Sequence, residues 1–429
     1  MTAFCNKAER FFLVFLWINP FLDILSGGWL LASEKAALPS VTPSLVIRMA
    51  VFALFALYLL LDRAKTEIAL LLPAALAFVL TAACEWAKWG LSGFSLPQEL
   101  VYAARFAFNL TALLVYLRVF RKCGKSREEL LVLLRRALLF CGAVLACGVL
   151  LPFLFGFGNF HGDRFGMRGT LGIFYSGNDI TAVLMMLLPP SLACVLTDKS
   201  RRIACLVPAL LLLALLMIST KTAYLAVAAA LLGALVCALF SRKAYPHAMM
   251  RLLTVLAVTV LLFALLTAAT GGSAWTVLTR SLTHTGTVAE QSGAVNAIFS
   301  GRQTKLKNAL MQWKEQLPLS ALFGIGRGTQ EKVIEMDLCE VGLYYGVFGF
   351  VTLLWMYFLC GFRLLGRAFR KPEVSLLSVL LSLALAAAFC VLAGHVLFSV
   401  TSGFYFALLL ACGTLLTAES VESVRIFRK

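Results

Sequence analysis

Charge is scarce in this chain. Of its 429 residues only 14% are Asp, Glu, Lys or Arg, against about 25% in a soluble domain. With 61% hydrophobic residues and a mean hydropathy of +0.90, this excludes a soluble globular enzyme, a coiled coil and a disordered chain. Strand-like alternation is also missing. The apolar stretches are continuous runs of about 18–25 residues, which argues against a β-barrel. Histidines number only four and have no paired ligand spacing, so no metal is expected. The 12 cysteines lack metal-ligand or redox spacing, and most fall inside apolar runs, where they read as small buried hydrophobes. No basic-aromatic module is present, so nucleic acid is not an expected partner. The glycine-rich run Gly324–Gly328 lacks the strand-loop-helix context of a dinucleotide fingerprint, and no cofactor is expected. It reads as a tight turn exposing backbone N–H groups near Arg327. No internal repeat is evident, which counts against a transporter built of repeats.

What is present is a series of twelve apolar runs, at residues 11–31, 43–62, 67–84, 98–118, 133–155, 179–196, 203–219, 223–240, 252–270, 342–362, 374–396 and 398–418. They predict an all-α, polytopic integral membrane protein, one domain over residues 1–429. The last two runs are separated so slightly, by Gly394-His395 or by Ser399–Gly403, that they could form one broken element. Lys and Arg gather in alternate turns: Arg63 and Lys65; Arg118, Arg121 and Lys122; Arg201 and Arg202; Arg242 and Lys243; Arg363, Arg367 and Arg370. This bias explains the net charge of +17 and predicts that both termini are cytoplasmic. The large loop at 271–341 then lies outside, with a short amphipathic helix after Ser300. Ser300 and Gln303 have capping-box spacing, and Pro318 limits the helix.

Several polar groups stand out. Asp23, Arg48 and Arg105 lie within spans, where charge is expensive. They form either a structural pair, Asp23 with Arg48 or Arg105, or the wall of a site. In the outer segment 162–180, Arg164 and Arg168 precede Ser176, Gly177, Asn178 and Asp179, good residues to cap a helix. A helix start beside arginines can hold a phosphate; an ordinary cap with interfacial anchors is the plainer reading. Lys221 faces the same outer side, as a cavity cation or as a snorkelling lysine. Glu335, Asp337 and Glu340 precede the tenth span, near Arg302 and Arg327 in sequence. A carboxylate above a basic pocket can take a proton from a sugar hydroxyl while cations hold a departing phosphate. Solvated loop acids are the alternative.

Five segments resemble the O-antigen polymerase and ligase family of bacterial membrane glycosyltransferases: RGTLGIFYSGNDI (168–180), STKTAYLAV (219–227), SGRQTKLKNAL (300–310), LFGIGRG (322–328) and EMDLCEVGLYYGVFG (335–349). The resemblance implies transfer of a glycan from a polyprenyl diphosphate to an acceptor sugar hydroxyl, without metal, at the outer face of the bacterial cytoplasmic membrane. It implies Arg168, Lys221, Arg302 and Arg327 as diphosphate binders, with Arg164, Asn178 and Glu340 in support. Where the ligase branch typically has His-Asn at the head of its last motif, this chain has Glu335 and Met336. The implied base is therefore a carboxylate, Glu335 or Asp337, which fits a polysaccharide polymerase better than a ligase. Two rivals share the composition: a transporter or flippase of lipid-linked oligosaccharide, and a peptidoglycan polymerase.

Overall fold

The computed structural model describes residues 2–36, 42–163, 166–197, 202–240, 246–292, 299, 301–330, 333–421 and 424. Among these, ten helices are long and apolar enough to cross a membrane: α1 (Thr2–Ala36), α2 (Pro43–Leu61), α3 (Lys65–Gly93), α4 (Leu96–Lys122), α5 (Arg127–Leu154), α6 (Gly177–Thr197), α8 (Lys221–Phe240), α9 (Ala248–Ala269), α13 (Asp337–Arg370) and α14 (Val374–Leu392). Two shorter apolar helices, α7 (Leu206–Ile218) and α15 (Ser402–Thr417), complete the set. The protein is an all-α polytopic membrane protein, and each of the twelve apolar runs corresponds to one of these helices. Local chemistry sets several starts. Thr42 Oγ1 accepts from Leu45 N, with Pro43 at the first helical position of α2. A capping box opens α5, Ser126 Oγ and the Glu129 carboxylate each accepting the other's backbone N–H.

The core is a nest of helices in which α4, α6 and α15 are buried along most of their length. At one end, Arg118 and Lys122 of α4 pair with Asp62, while Arg118 and Arg121 bridge to Glu67 of α3. The other end carries the extramembrane segments. There the structure adds two elements that the sequence pattern did not suggest. A bulged antiparallel hairpin, β1 (Asn159–Asp163) with β2 (Gly166–Gly172), fills the segment before α6. The polar stretch after α9 is a helix, α10 (Ser273–Ser292). Among its described side chains, Ala274, Val277 and Ser281 form its buried face at i, i+3 and i+7, a stripe hidden among threonines. The expected amphipathic helix is α11 (Arg302–Glu315), ending before Pro318. Its cap is Gly301 in a left-handed conformation with no side-chain bond; Ser300, on which the expected capping box rests, lies outside the described residues.

A short helix, α12 (Leu319–Phe323), and the strand-like Gly324–Gly326 press against a break in α13. Gly346 has φ 63° and ψ −167°, a conformation that β-carbon sterics reserve for glycine. Beside the break, Leu343 O and Tyr344 O accept from Ile325 N and Gly326 N at 3.0 and 2.9 Å. A Cβ at Gly346 would sit 2.4 Å from the Leu322 carbonyl. We therefore expect Gly346→Ala to cost at least about 1–3 kcal/mol, the strain of a non-glycine residue there, and to lower the unfolding temperature in detergent. Gly366→Ala in the same helix, with open space around it, should leave that temperature unchanged.

Candidate active site

The last two apolar helices are broken apart by a non-helical stretch, residues 393–401. Buried backbone of this kind needs partners for its N–H and C=O groups, and neighbouring helices supply them. Asp337, fully buried at the head of α13, accepts from Val396 N at 2.5 Å and Leu397 N at 2.6 Å. Asn109 of α4 donates to Leu397 O and Ser399 O, both at 2.9 Å. Gly403 leaves room for it, since a Cβ there would lie 2.0 Å from Asn109 Nδ2. Thr401 donates to Asp23 at 2.7 Å and accepts from Arg48 at 3.3 Å. Asp23 and Arg48 are ion-paired and buried, and with Arg105 both also line the cavity described below, so the structural pair and the site wall that the sequence offered as alternatives occur together.

This stretch presents His395. Its Nδ1–H donates to Asp337 Oδ1 at 2.8 Å, and Glu340 Oε2 lies 3.7 Å from the same nitrogen. Glu340 is itself buried, accepting from the Tyr102 hydroxyl and, at 2.7 Å, from Glu335 N. The guanidinium of Arg327 stands over the Tyr102 ring, 5.8 Å from its centroid. Burial alone would lower the His395 pKa. The hydrogen bond to Asp337 and the charges of Glu340, Asp337 and Asp179 outweigh it and push the value up to about 9. The ligand atoms of Asp337, Glu340 and His395 lie within 4.8 Å of one another, a spacing that a cation could bridge. Those of Asp337 and Glu340 are already engaged by proton donors, so the trio fits a hydrogen-bonded network better than a metal centre.

A cavity of about 350 Å³ opens beside His395. Its walls include Arg48, Arg105, Tyr175, Ser176, Asp179 and Thr401. Arg105 makes no ion pair or hydrogen bond with the described residues. Asp179 sits in the first turn of α6, where Ser176 Oγ accepts its backbone N–H at 3.3 Å. The carboxylate of Asp179 has no ion pair among the described residues, whereas that of Asp23 is neutralised by Arg48.

The site residues expected from sequence fall into two neighbourhoods on either side of this cavity. Arg302 donates to Glu335 Oε2 at 2.9 Å and Lys305 to Oε1 at 3.0 Å. Glu335, Glu340, Asp337 and, through Tyr102, Arg327 continue the same network. Arg327 Nη1 also donates to Gln98 Oε1 at 3.2 Å, and the turn's N–H groups at Arg327 and Gly328 are taken by the buried Glu99 carboxylate rather than exposed. The second neighbourhood gathers Asn178 in α6, Lys221 at the start of α8, and β2. Thr181 and Thr220 are 3.5 Å apart, and a Cβ at Gly169 would lie 2.2 Å from Ile218 O. Arg164 and the side chain of Arg168 lie outside the described residues. The cavity walls thus hold neighbours of the expected residues: Asp179 next to Asn178, and His395 bonded to Asp337. A histidine at a span end gave no signal by spacing; only the non-helical break between the last two runs pointed to it.

The chain matches the family model described as O-antigen ligase like membrane protein over residues 5–277 and 283–418. It belongs to the O-antigen ligase-like membrane proteins. A search of curated proteins finds no match. For this O-antigen ligase-like protein, the family supports a membrane enzyme that ligates or polymerises glycans, in keeping with twelve apolar helices and a polar cavity at one end.

The rim cluster gives a pH-dependent test. Burial raises the Glu335 pKa, but the hydrogen bond from Lys305 and the charges of Arg302 and Lys305 more than cancel this and hold the carboxyl below its ordinary 4.5. A lowered pKa contributes stability that is present above the unfolded value and lost as pH falls through the folded one. Glu335→Gln should therefore cost about 1 kcal/mol at pH 7. Unfolding temperatures of variant and wild type, measured from pH 7 downwards, should converge as the pH falls well below 4.5.

Proposed function

We propose that this protein transfers a glycan from a polyprenyl-diphosphate-linked donor to a sugar hydroxyl of an acceptor, at the outer face of the bacterial cytoplasmic membrane. The observation that carries this reading is Arg105 in the wall of the 350 Å³ cavity, without an ion pair or hydrogen bond among the described residues. Arg105 is exposed there, and a cation so placed is available to an anion that arrives with the substrate. The diphosphate of a lipid-linked sugar, on which negative charge grows as the glycosidic bond breaks, is such an anion. Arg302, Lys221, Arg168 and Arg327 are proposed to attract and orient the donor from the rim, and Arg105 to hold the leaving diphosphate.

An apolar groove supports the lipid half of the substrate. It has a volume of about 580 Å³, between α13, α14 and α15, with walls including Leu338, Phe358, Phe362, Leu381 and Leu397. Its near end is formed by Leu338, Cys390 and Leu397, beside Asp337. A prenyl tail lying there would put its head group close to the cavity. Glu335 and Asp337 serve this site differently from a free base. Glu335 neutralises Arg302 and Lys305, and Asp337 spends its lone pairs on the 393–401 stretch and on His395. Both are assigned positioning roles. A flippase would leave the donor's linkages intact.

Purified wild-type protein in detergent, given a polyprenyl-diphosphate oligosaccharide and no ion gradient, should form new glycosidic bonds. Arg105→Ala should lower the rate at least a hundredfold at unchanged unfolding temperature, and Arg105→Lys should recover only part of it, because an ammonium cannot bind phosphate bidentately. Wild-type rates in Arg105→Ala, or lipid movement without bond formation, would remove the reading.

A further inference from the structure

Two ionisable groups in the cavity stand outside everything assigned so far. Asp179 carries a carboxylate that no cation among the described residues neutralises. It sits in the first turn of α6. His395 is the reverse case. One edge of its ring is bound to Asp337 at 2.8 Å, with Glu340 at 3.7 Å, and the residue also lines the cavity. Tyr102 of α4 meets the ring edge-on, 6.3 Å between centroids, and Arg105 of the same helix stands in the same wall. Two buried carboxylates on one imidazole, and Asp179 close enough for its charge to act on the ring, favour the imidazolium over the neutral form. One wall therefore offers a proton acceptor, and another a proton donor whose orientation is fixed by backbone-anchored carboxylates.

We infer that Asp179 is the general base that takes the proton of the acceptor hydroxyl, and that His395 donates through Nε2–H to the diphosphate oxygen that leaves. The inference rests on the transfer reaction proposed above and names its proton-handling groups. The acceptor oxygen loses its proton to the Asp179 carboxylate and forms the bond to the anomeric carbon. The bond from that carbon to the diphosphate oxygen breaks, and its electron pair leaves with the diphosphate. The charge so formed meets Arg105 and the His395 N–H, and Asp179 later yields its proton to water. Asp337 and Glu340 act through His395 and are positioning residues. This gives the site an imidazole from a segment far along the chain, although the rim segment that begins at Glu335 has none.

Transfer kinetics of the purified full-length protein test this. Asp179→Asn should lower kcat about 10²–10⁴-fold, the range for losing a general base, with KM within threefold. In wild type the rate should fall as pH rises through about 9, where His395 loses its proton. His395→Gln should lower kcat at least tenfold and abolish that alkaline fall. His395→Lys, which keeps a cation, should recover part of the rate at neutral pH. Asp337→Asn should move the alkaline fall to lower pH, a shift that a purely structural role would not produce; Glu340→Gln should shift it in the same direction if Asp337→Asn fails to fold. Folded Asp179→Asn or His395→Gln protein with kcat within threefold of wild type would overturn the assignment while leaving the transfer reaction in place. Wild-type protein that forms no glycosidic bond would sink the underlying function instead.

Discussion

A non-helical stretch buried among membrane helices must have its backbone N–H and C=O groups satisfied by protein, and the site depends on how this is done at residues 393–401. Asp337 receives two successive N–H groups and Asn109 donates to two carbonyls. Leaving one such buried group unpaired costs about 1–3 kcal/mol, so these two side chains fix where the stretch runs. The chemistry follows from that. Once Val396 and Leu397 are tied to Asp337, the preceding residue, His395, is brought to the same carboxylate. The helix break is thus what delivers an imidazole to the cavity wall.

The other buried charges continue this logic. The Asp23–Arg48 pair would be a poor source of net stability by itself, since the desolvation of both ions offsets their attraction. Its value here is positional: Thr401 donates to Asp23 and accepts from Arg48, so the far end of the stretch is anchored to α1 and α2. At the rim, Arg302 and Lys305 are held by Glu335, and Glu335 N is in turn held by Glu340. A single chain of polar contacts therefore runs from α11 through the head of α13 to His395. Charges that could have been free catalysts are instead spent on alignment, and Arg105 and Asp179 make no ion pair among the described residues.

The fold was largely legible in the sequence because membrane helices announce themselves by length and hydropathy, a requirement imposed by the bilayer and not by packing detail. Even the break near Gly394-His395 was visible. The hairpin at 159–172 and α10 were not. The hairpin is short and glycine-rich, and the described side chains that α10 buries, Ala274, Val277 and Ser281, carry too little apolar area to give a periodic signal. The site was legible by segment but not by residue. RGTLGIFYSGNDI and EMDLCEVGLYYGVFG do border the cavity or its supporting network. The resemblance implied a base role for Glu335 or Asp337, acids ahead of a span and near Arg302 in sequence. Arg302 and Lys305 in fact neutralise Glu335, and the N–H groups that occupy Asp337, at Val396 and Leu397, lie 59 and 60 positions away, a separation that spacing cannot reveal.

On the proposed reading, one site must handle a substrate that is half lipid. Asp337 connects the apolar groove with the polar cavity, since it bonds Cys390 and Leu397 of the groove walls and His395 of the cavity wall. It is fully buried, and its carboxylate is spent on the imidazole and on two backbone N–H groups. A prenyl tail loses nothing by lying in the groove, since its walls match the bilayer it leaves, and so the groove contributes orientation more than affinity. Affinity and rate then come from the polar side. On the proposed reading a diphosphate would replace water beside Arg105, whose charge would meet the one that grows during transfer.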